Sequence, residues 1–99
     1  MNISLCIPRV NKMYNNSFIY NTINKYKIGE IEDITILKKN KFNKVYINFY
    51  YWYSENERNN KLFQHLNNGG SIKIFYNEPY FWNCYKAESK KKLKYNYNQ

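Results

Sequence analysis

The strongest strand signal in the chain is the stretch FNKVYINFYY, residues 42–51. Apolar and polar side chains alternate along it, with Val45, Ile47 and Phe49 set against Lys44, Tyr46 and Asn48. An alternation with a period of two indicates a strand that buries one face and leaves the other accessible. The remaining elements are predicted on either side of this strand.

Before this strand, the sequence predicts a strand, a helix and a second strand. Residues 3–7 alternate large apolar with small side chains, and Pro8 is expected to end that strand. Asn15 or Asn16 can cap a helix that begins shortly afterwards. Residues 31–37 predict the second strand, which a charged turn joins to the strongest one.

After this strand, the sequence predicts a helix and two extended segments. Ser54 and Glu57 form an S-x-x-E capping box, which indicates the start of a second helix. Residues 71–76 and 80–87 predict extended segments, and the stretch around Pro79 is a favourable hairpin turn between them.

These elements predict one α+β domain over residues 1–88, followed by a basic tail over residues 89–99 that we expect to be flexible. The order is β-α-β-β-α-β, with a small extra strand before the last one. This order is typical of the ferredoxin-like sandwich, a four-stranded antiparallel sheet with two helices on one face. The other face of the sheet would stay open, and we expect function there.

Four segments carry a resemblance to a known family. Residues 3–8 (ISLCIP) and 42–49 (FNKVYINF) occupy the places of its six-residue and eight-residue motifs. Residues 29–32 (GEIE) resemble the glycine-led start of its second strand, and residues 82–87 (WNCYKA) fit its last strand. Over about residues 2–88 the chain thus resembles the RNA recognition motif (RRM). The resemblance implies an RRM-like fold that binds single-stranded RNA through aromatic rings on its central strands.

Two segments resemble a narrower group. Residues 3–10 (ISLCIPRV) and 78–82 (EPYFW) are similar to segments of small RRM-like proteins carried by large cytoplasmic DNA viruses. The abundance of Asn, Lys, Ile and Tyr, which share A- and T-rich codons, suits such an origin. This resemblance implies the fold more than a biochemical function.

The stacking aromatics of the RRM family are only partly present. Carried over position by position, the three aromatic positions fall on Ser4, Lys44 and Tyr46. Serine and lysine cannot stack on a base as a ring does, so we expect nucleic-acid binding that is weak or of low specificity. Replacement rings could come from Phe81 or Tyr85 on the last strand.

The candidate nucleic-acid contacts are residues expected on the open face or in the tail. On the domain they are Ser4, Arg9, Lys44, Tyr46, Asn48, Phe81, Tyr85 and Lys86. In the tail, Lys90, Lys91, Lys92 and Lys94 are expected to neutralise phosphates. The alternation leaves open whether Phe81 or Trp82 faces the core.

The formal net charge of +9 suggests an anionic partner, but it is not decisive. Fourteen of the 16 basic residues are lysines, which the codon bias could supply. Arg9 and Arg58 are the only arginines, whereas proteins that read phosphates or bases more often carry several.

No set of residues in the sequence indicates an enzyme, a cofactor or a metal site. His65 is the only histidine, and no Ser, Cys or carboxylate is spaced to work with it. The acidic residues within 30–33 are expected to be solvated rather than to bind a cation. Cys6 and Cys84 are expected on neighbouring strands but on opposite faces, and hence as free thiols.

No stretch approaches the roughly 18 apolar residues of a membrane span, and residues 1–8 are too short for a secretory signal. We therefore expect an intracellular protein of the host cytoplasm, or of the nucleus if Lys91-Lys92-Leu93-Lys94 acts as an import signal. Two functions stay open. One is a non-enzymatic module that binds single-stranded RNA or DNA. The other is a protein-interaction or homodimerisation domain whose RRM-like fold has lost base stacking.

Overall fold

The computed structural model describes residues 3–87, which form five strands and two helices. In chain order they are β1 (Ile3–Val10), α1 (Asn16–Asn24), β2 (Gly29–Lys38), β3 (Asn43–Trp52), α2 (Glu57–Asn67), β4 (Ser71–Asn77) and β5 (Tyr80–Ala87). The strands form one antiparallel sheet in the order β2-β3-β1-β5-β4. The prediction of an α+β domain with an open antiparallel sheet and two helices is confirmed. The tail candidates Lys90, Lys91, Lys92 and Lys94 lie outside the described residues.

The sheet has five strands, so the prediction of a four-stranded sheet is wrong. β4 pairs with β5 along its length. Its side chains alternate as a half-buried strand requires, because Ile72 and Ile74 are buried whereas Lys73 and Phe75 are exposed. The apolar alternation of β4 is therefore long enough to add a full edge strand.

One side of the sheet is buried beneath the two helices. Both helices contribute to the same core, α1 through Ile19 and Ile23 and α2 through Leu66. Each fully buried aliphatic side chain contributes about 1.5–3 kcal/mol, so this core decides which side of each strand faces inward. On β5, Trp82 is 3% exposed and Phe81 is 37% exposed, so Trp82 faces the core. Neither helix within residues 3–87 is long and apolar enough to span a membrane.

The first helix begins at a predicted cap, and the second does not. Asn15 Oδ1 accepts a hydrogen bond from the backbone N–H of Phe18 at 2.9 Å. α2 is capped by Asn56, whose Oδ1 accepts from the N–H of Asn59 at 3.2 Å. Ser54 lies in the turn after β3, two residues before the cap position. The predicted capping box is therefore wrong.

Replacing Asn56 with alanine should destabilise the domain by about 1 kcal/mol, because the N-terminal N–H groups of α2 would lose their side-chain acceptor. Ser54→Ala should change the free energy of unfolding by less than about 0.5 kcal/mol. Urea unfolding of the two variants measures both effects. A larger loss in Ser54→Ala than in Asn56→Ala would contradict this assignment of the cap.

The first strand continues beyond Pro8. Its pairing with β3 passes from Ile7 opposite Val45 to Val10 opposite Asn43, so β1 contains one extra residue in this interval. Such a β-bulge leaves a backbone N–H outside the ladder, and proline has none to lose. The prediction that Pro8 ends the strand is therefore wrong.

Candidate nucleic-acid interface

The side of the sheet opposite the core carries most of the predicted contacts, and we call it the open face. No helix within residues 3–87 covers it, because both helices pack on the other side. On the three inner strands the open face displays Ser4, Cys6, Lys44, Tyr46, Asn48 and Tyr85. These residues alternate with buried ones, so their direction follows from the one-sided core.

Two tyrosines flank a small residue at the centre of the open face. Cys6 pairs with Tyr46 on one neighbouring strand and with Tyr85 on the other. Because neighbouring strands lie about 4.8 Å apart, the two tyrosines project from backbones roughly 10 Å apart. The depression between them, which we call the tyrosine slot, has a volume of about 360 Å³. A planar ring between two others needs about 7–8 Å, so the spacing of roughly 10 Å between the two backbones is wide enough for one base.

The tyrosine slot is positively charged, and its thiol is protonated. Lys44 Nζ lies 5.6 Å from the centroid of the Tyr46 ring. Hydrogen bonding to that tyrosine raises the pKa of Lys44, so the ammonium keeps its charge at neutral pH. Burial raises the pKa of the Cys6 thiol, and the charge of Lys44 opposes this only in part. Cys6 is therefore a small neutral floor for the slot rather than a nucleophile.

Two more pairs of a cationic side chain and an aromatic ring, like Lys44 and Tyr46, lie toward the β4–β5 hairpin. Lys73 Nζ lies 4.9 Å from the centroid of the Phe81 ring. At the bulge of β1, Arg9 Cζ lies 5.8 Å from the centroid of the Phe42 ring. Arg9 and Phe81 also line a second depression, of about 330 Å³, which shares Tyr85 with the tyrosine slot. The two depressions together form a path on which aromatic rings and cations are interleaved.

Beside the tyrosine slot, three polar side chains form a hydrogen-bonded row across β1, β3 and β2. Ser4 Oγ donates to Asn48 Oδ1 at 2.5 Å, and Asn48 Nδ2 donates to Asp33 Oδ1 at 2.6 Å. Ser4 and Asn48 each lie two residues from the slot residues of the same strand. This polar row therefore runs alongside the slot on the same face.

Sequence reasoning missed Asp33, which we expected only as part of a solvated acidic group. Ile31 faces the core side, and in a regular strand Asp33 would share its face. Glu32 is instead an extra residue in β2, so Asp33 lies opposite Asn48 on the open face. The sequence did contain one signal of this irregularity. Ile31 and Ile34 are three residues apart, so in a regular strand they would point to opposite faces and could not both face the core.

The structure brings most of the predicted contacts together and separates one. The open face carries Ser4, Lys44, Tyr46, Asn48 and Tyr85, with Phe81 and Arg9 toward the hairpin end. Lys86 is among the residues that line the tyrosine slot, but its side chain is directed to the helix side, because successive residues of β5 point to opposite faces. It pairs with the buried Leu5, and its ammonium donates to Asn67 Oδ1 at 2.7 Å on the helix side.

The two cysteines lie on neighbouring strands and on opposite faces. Cys6 is on the open face of β1 and Cys84 is buried on β5, so the prediction of two free thiols is confirmed. Burial raises the pKa of Cys84 to about 12. Among residues 3–87, no group of three His, Cys, Asp or Glu side chains is placed to hold a metal ion.

The resemblance to the RNA recognition motif, and to its viral relatives, stays a prediction. The tyrosine slot and the polar row are the features of the chain from which its function can be inferred. Comparisons with protein-family models, with curated proteins and with solved structures find no match to the chain.

Proposed function

We propose that the protein is a non-enzymatic module that binds single-stranded nucleic acid, RNA or DNA, across its open face. The observation that carries this proposal is the tyrosine slot, in which Tyr46 and Tyr85 flank Cys6 with Lys44 beside them. One base would stack within the slot, and a second could stack on Phe81. Each stacked base contributes about 1–3 kcal/mol, which supports measurable affinity without strict sequence preference.

The exposure of the rings supports this binding mode. Tyr85 is 41% exposed and Phe81 is 37% exposed, so a base can reach both. Lys44 and Lys73 lie over Tyr46 and Phe81 in the free protein. A base that stacks on either ring would displace the lysine toward the phosphates of the same strand, where its charge pairs with an anion.

Tyr46→Ala and Tyr85→Ala should each weaken binding of a fluorescent mixed-sequence single-stranded RNA by about 5-fold to 100-fold, because each removes one stacking partner. Tyr46→Phe should retain most of the affinity, since the ring remains. Tyr20→Ala is the matched control, because Tyr20 is an exposed tyrosine on α1, on the other side of the sheet. Fluorescence anisotropy near physiological salt measures all four variants.

Loss of affinity in the slot variants, with unchanged affinity in Tyr20→Ala, would support the open face as the binding surface. Equal affinities in all variants, together with loss of binding at about 0.5 M salt, would assign binding to lysine charge alone. That second outcome would contradict the proposal.

A second candidate function is protein interaction through the β4–β5 hairpin. Phe75 and Phe81 pack against each other on the open face with ring centroids 5.3 Å apart, and Tyr80 is 62% exposed. Adjacent exposed aromatic rings are typical of protein interfaces. A homodimer through this hairpin would show a concentration-dependent mass in sedimentation at high salt, and Phe75→Ser would abolish the dependence.

A further inference from the structure

β4 forms one edge of the sheet, and part of its outer side is unpaired. Within residues 3–87 the strand order gives β4 a single neighbour, β5. The hydroxyl of Tyr26 accepts a hydrogen bond at 2.7 Å from the backbone N–H of Phe75, so Phe75 directs its N–H away from β5. Backbone direction alternates along an antiparallel strand, and Ser71 and Lys73 therefore also direct their N–H and C=O groups outward. In the described part of the chain, no loop or helix bonds to these outward groups of Ser71 and Lys73.

A groove with an apolar floor runs beside this unpaired edge, and we call it the edge groove. It has a volume of about 420 Å³ and lies between β4 and α2. A strand added to β4 would direct alternate side chains into the groove, because residues opposite Ile72 and Ile74 would share their face of the sheet. The outward backbone groups and the apolar floor are thus placed to bind the same extended peptide. The floor consists of Ile28, Leu62, Ile72 and Ile74.

The charge of the edge groove favours an acidic peptide. Arg58 lines the groove, and its Nη2 donates to the backbone oxygen of Tyr26 at 2.5 Å and to Asn59 Oδ1 at 2.8 Å. These two bonds fix the guanidinium and leave Nη1 to pair with a carboxylate. None of the described residues that line the groove is acidic. A second copy of this chain fits less well, because it would bring two cationic edges together, with a formal net charge of +9 on each chain.

We propose that β4 binds an extended acidic segment of a partner protein, which adds an antiparallel strand along residues 71–74. One carboxylate of the segment, opposite Ile74, pairs with Arg58, and an apolar side chain two residues later packs in the edge groove. Tyr26 limits the added strand, because its hydroxyl already occupies the next outward N–H, that of Phe75. The edge groove shares no lining residue with the two depressions of the open face, so this binding does not depend on nucleic acid.

An acetylated peptide Glu-Thr-Val-Thr-Val with a fluorophore at its C-terminal amide is the probe. In the proposed pairing its Glu and Val side chains face the groove, and the N–H groups of its two Thr residues face β4. Anisotropy titration should show saturable binding. N-methylation of the first Thr should weaken it by about tenfold, because one hydrogen bond to Lys73 is lost. N-methylation of the first Val is the matched control and should change the affinity little, since that N–H faces away from β4. Gln in place of Glu should weaken binding by about fivefold.

Two variants of the protein test the same edge. Lys73→Pro removes the outward N–H at residue 73 without removing a hydrogen bond to β5, so it should abolish peptide binding. Lys73→Ala keeps this N–H and should retain binding. Circular dichroism checks that both variants fold.

Four outcomes would overturn the proposal. They are no binding of the peptide, equal affinities of the two N-methylated peptides for the unmodified protein, equal binding by folded Lys73→Pro and Lys73→Ala, and displacement of the peptide by single-stranded RNA. The comparison of the N-methylated peptides uses the unmodified protein, so it decides the matter even where Lys73→Pro does not fold. Each of these outcomes leaves the proposed nucleic-acid function standing, because that function is tested on the open face.

Discussion

Trp52→Ala is expected to destabilise the domain by about 3–5 kcal/mol. Trp52 is fully buried, with its ring centroid 5.5 Å from that of Phe49 and 6.0 Å from that of Phe63. Its Nε1 donates to the backbone oxygen of Asn59 at 2.8 Å. Alanine would leave a cavity between β3 and α2 and would remove the hydrogen bond from Nε1 to this carbonyl oxygen. Because domains are stable by only about 5–15 kcal/mol, urea unfolding followed by circular dichroism should show a large loss.

Two further variants separate the causes of this loss. Trp52→Phe keeps most of the ring but removes the N–H, so it should cost about 1–3 kcal/mol. Tyr50→Ala removes a neighbouring aromatic ring that is 59% exposed, and it should cost less than about 0.5 kcal/mol. A loss below about 1 kcal/mol for Trp52→Ala would show that this side chain does not hold α2 against the sheet.

The direction of side chains could be predicted wherever apolar residues alternate without interruption. On β3, Val45 and Ile47 are buried, so Lys44 and Tyr46 had to face the other side. The hairpin turn at Pro79 was equally accessible, because turn chemistry acts within a few neighbouring residues. The alternation on β3 and the hairpin turn together predict which side chains of β3, β4 and β5 lie on the open face.

The positions where the sheet departs from regular pairing could not be predicted. The extra residue in β1 beside Pro8 and the extra residue Glu32 in β2 are defined by pairing to a distant strand. Alternation read along β2 shows only that Ile31 and Ile34 cannot both face inward in an unbroken strand, and it does not show which residue is extra. One extra residue reverses the direction of every side chain beyond it. The position of Asp33 on the open face was therefore missed.

The choice between two capping residues was decided by the same kind of long-range contact. Ser54 and Asn56 can both cap a helix. Trp52 is anchored in the core and bonds to the backbone of Asn59, which sets where α2 begins. The tyrosine slot needed comparable information, since Tyr46 and Tyr85 face each other across Cys6 only because β1 lies between β3 and β5.

Gly29→Ala is expected to destabilise the domain by about 3 kcal/mol, the upper part of the usual range for overpacking. A Cβ atom on Gly29 would lie 2.5 Å from the backbone oxygen of Tyr51 and 2.9 Å from the Phe49 ring. The first contact is with backbone, which a change of side-chain rotamer cannot relieve, so the start of β2 would have to move away from β3. Thermal unfolding should show this as a lower melting temperature, by several degrees per kcal/mol.

Gly69→Ala is a control that measures the cost of an unfavourable backbone conformation without any steric clash of the added Cβ. Gly69 follows α2 with φ +89°, and a Cβ there would have no atom within 4 Å. The substitution should therefore cost only the strain of a left-handed alanine, about 1–2 kcal/mol. A loss in Gly69→Ala equal to or greater than that in Gly29→Ala would contradict the steric argument. The larger loss at Gly29 follows from the close approach of β2 to β3 at this residue, where an added Cβ would meet the backbone of Tyr51, whereas a Cβ on Gly69 would meet no atom.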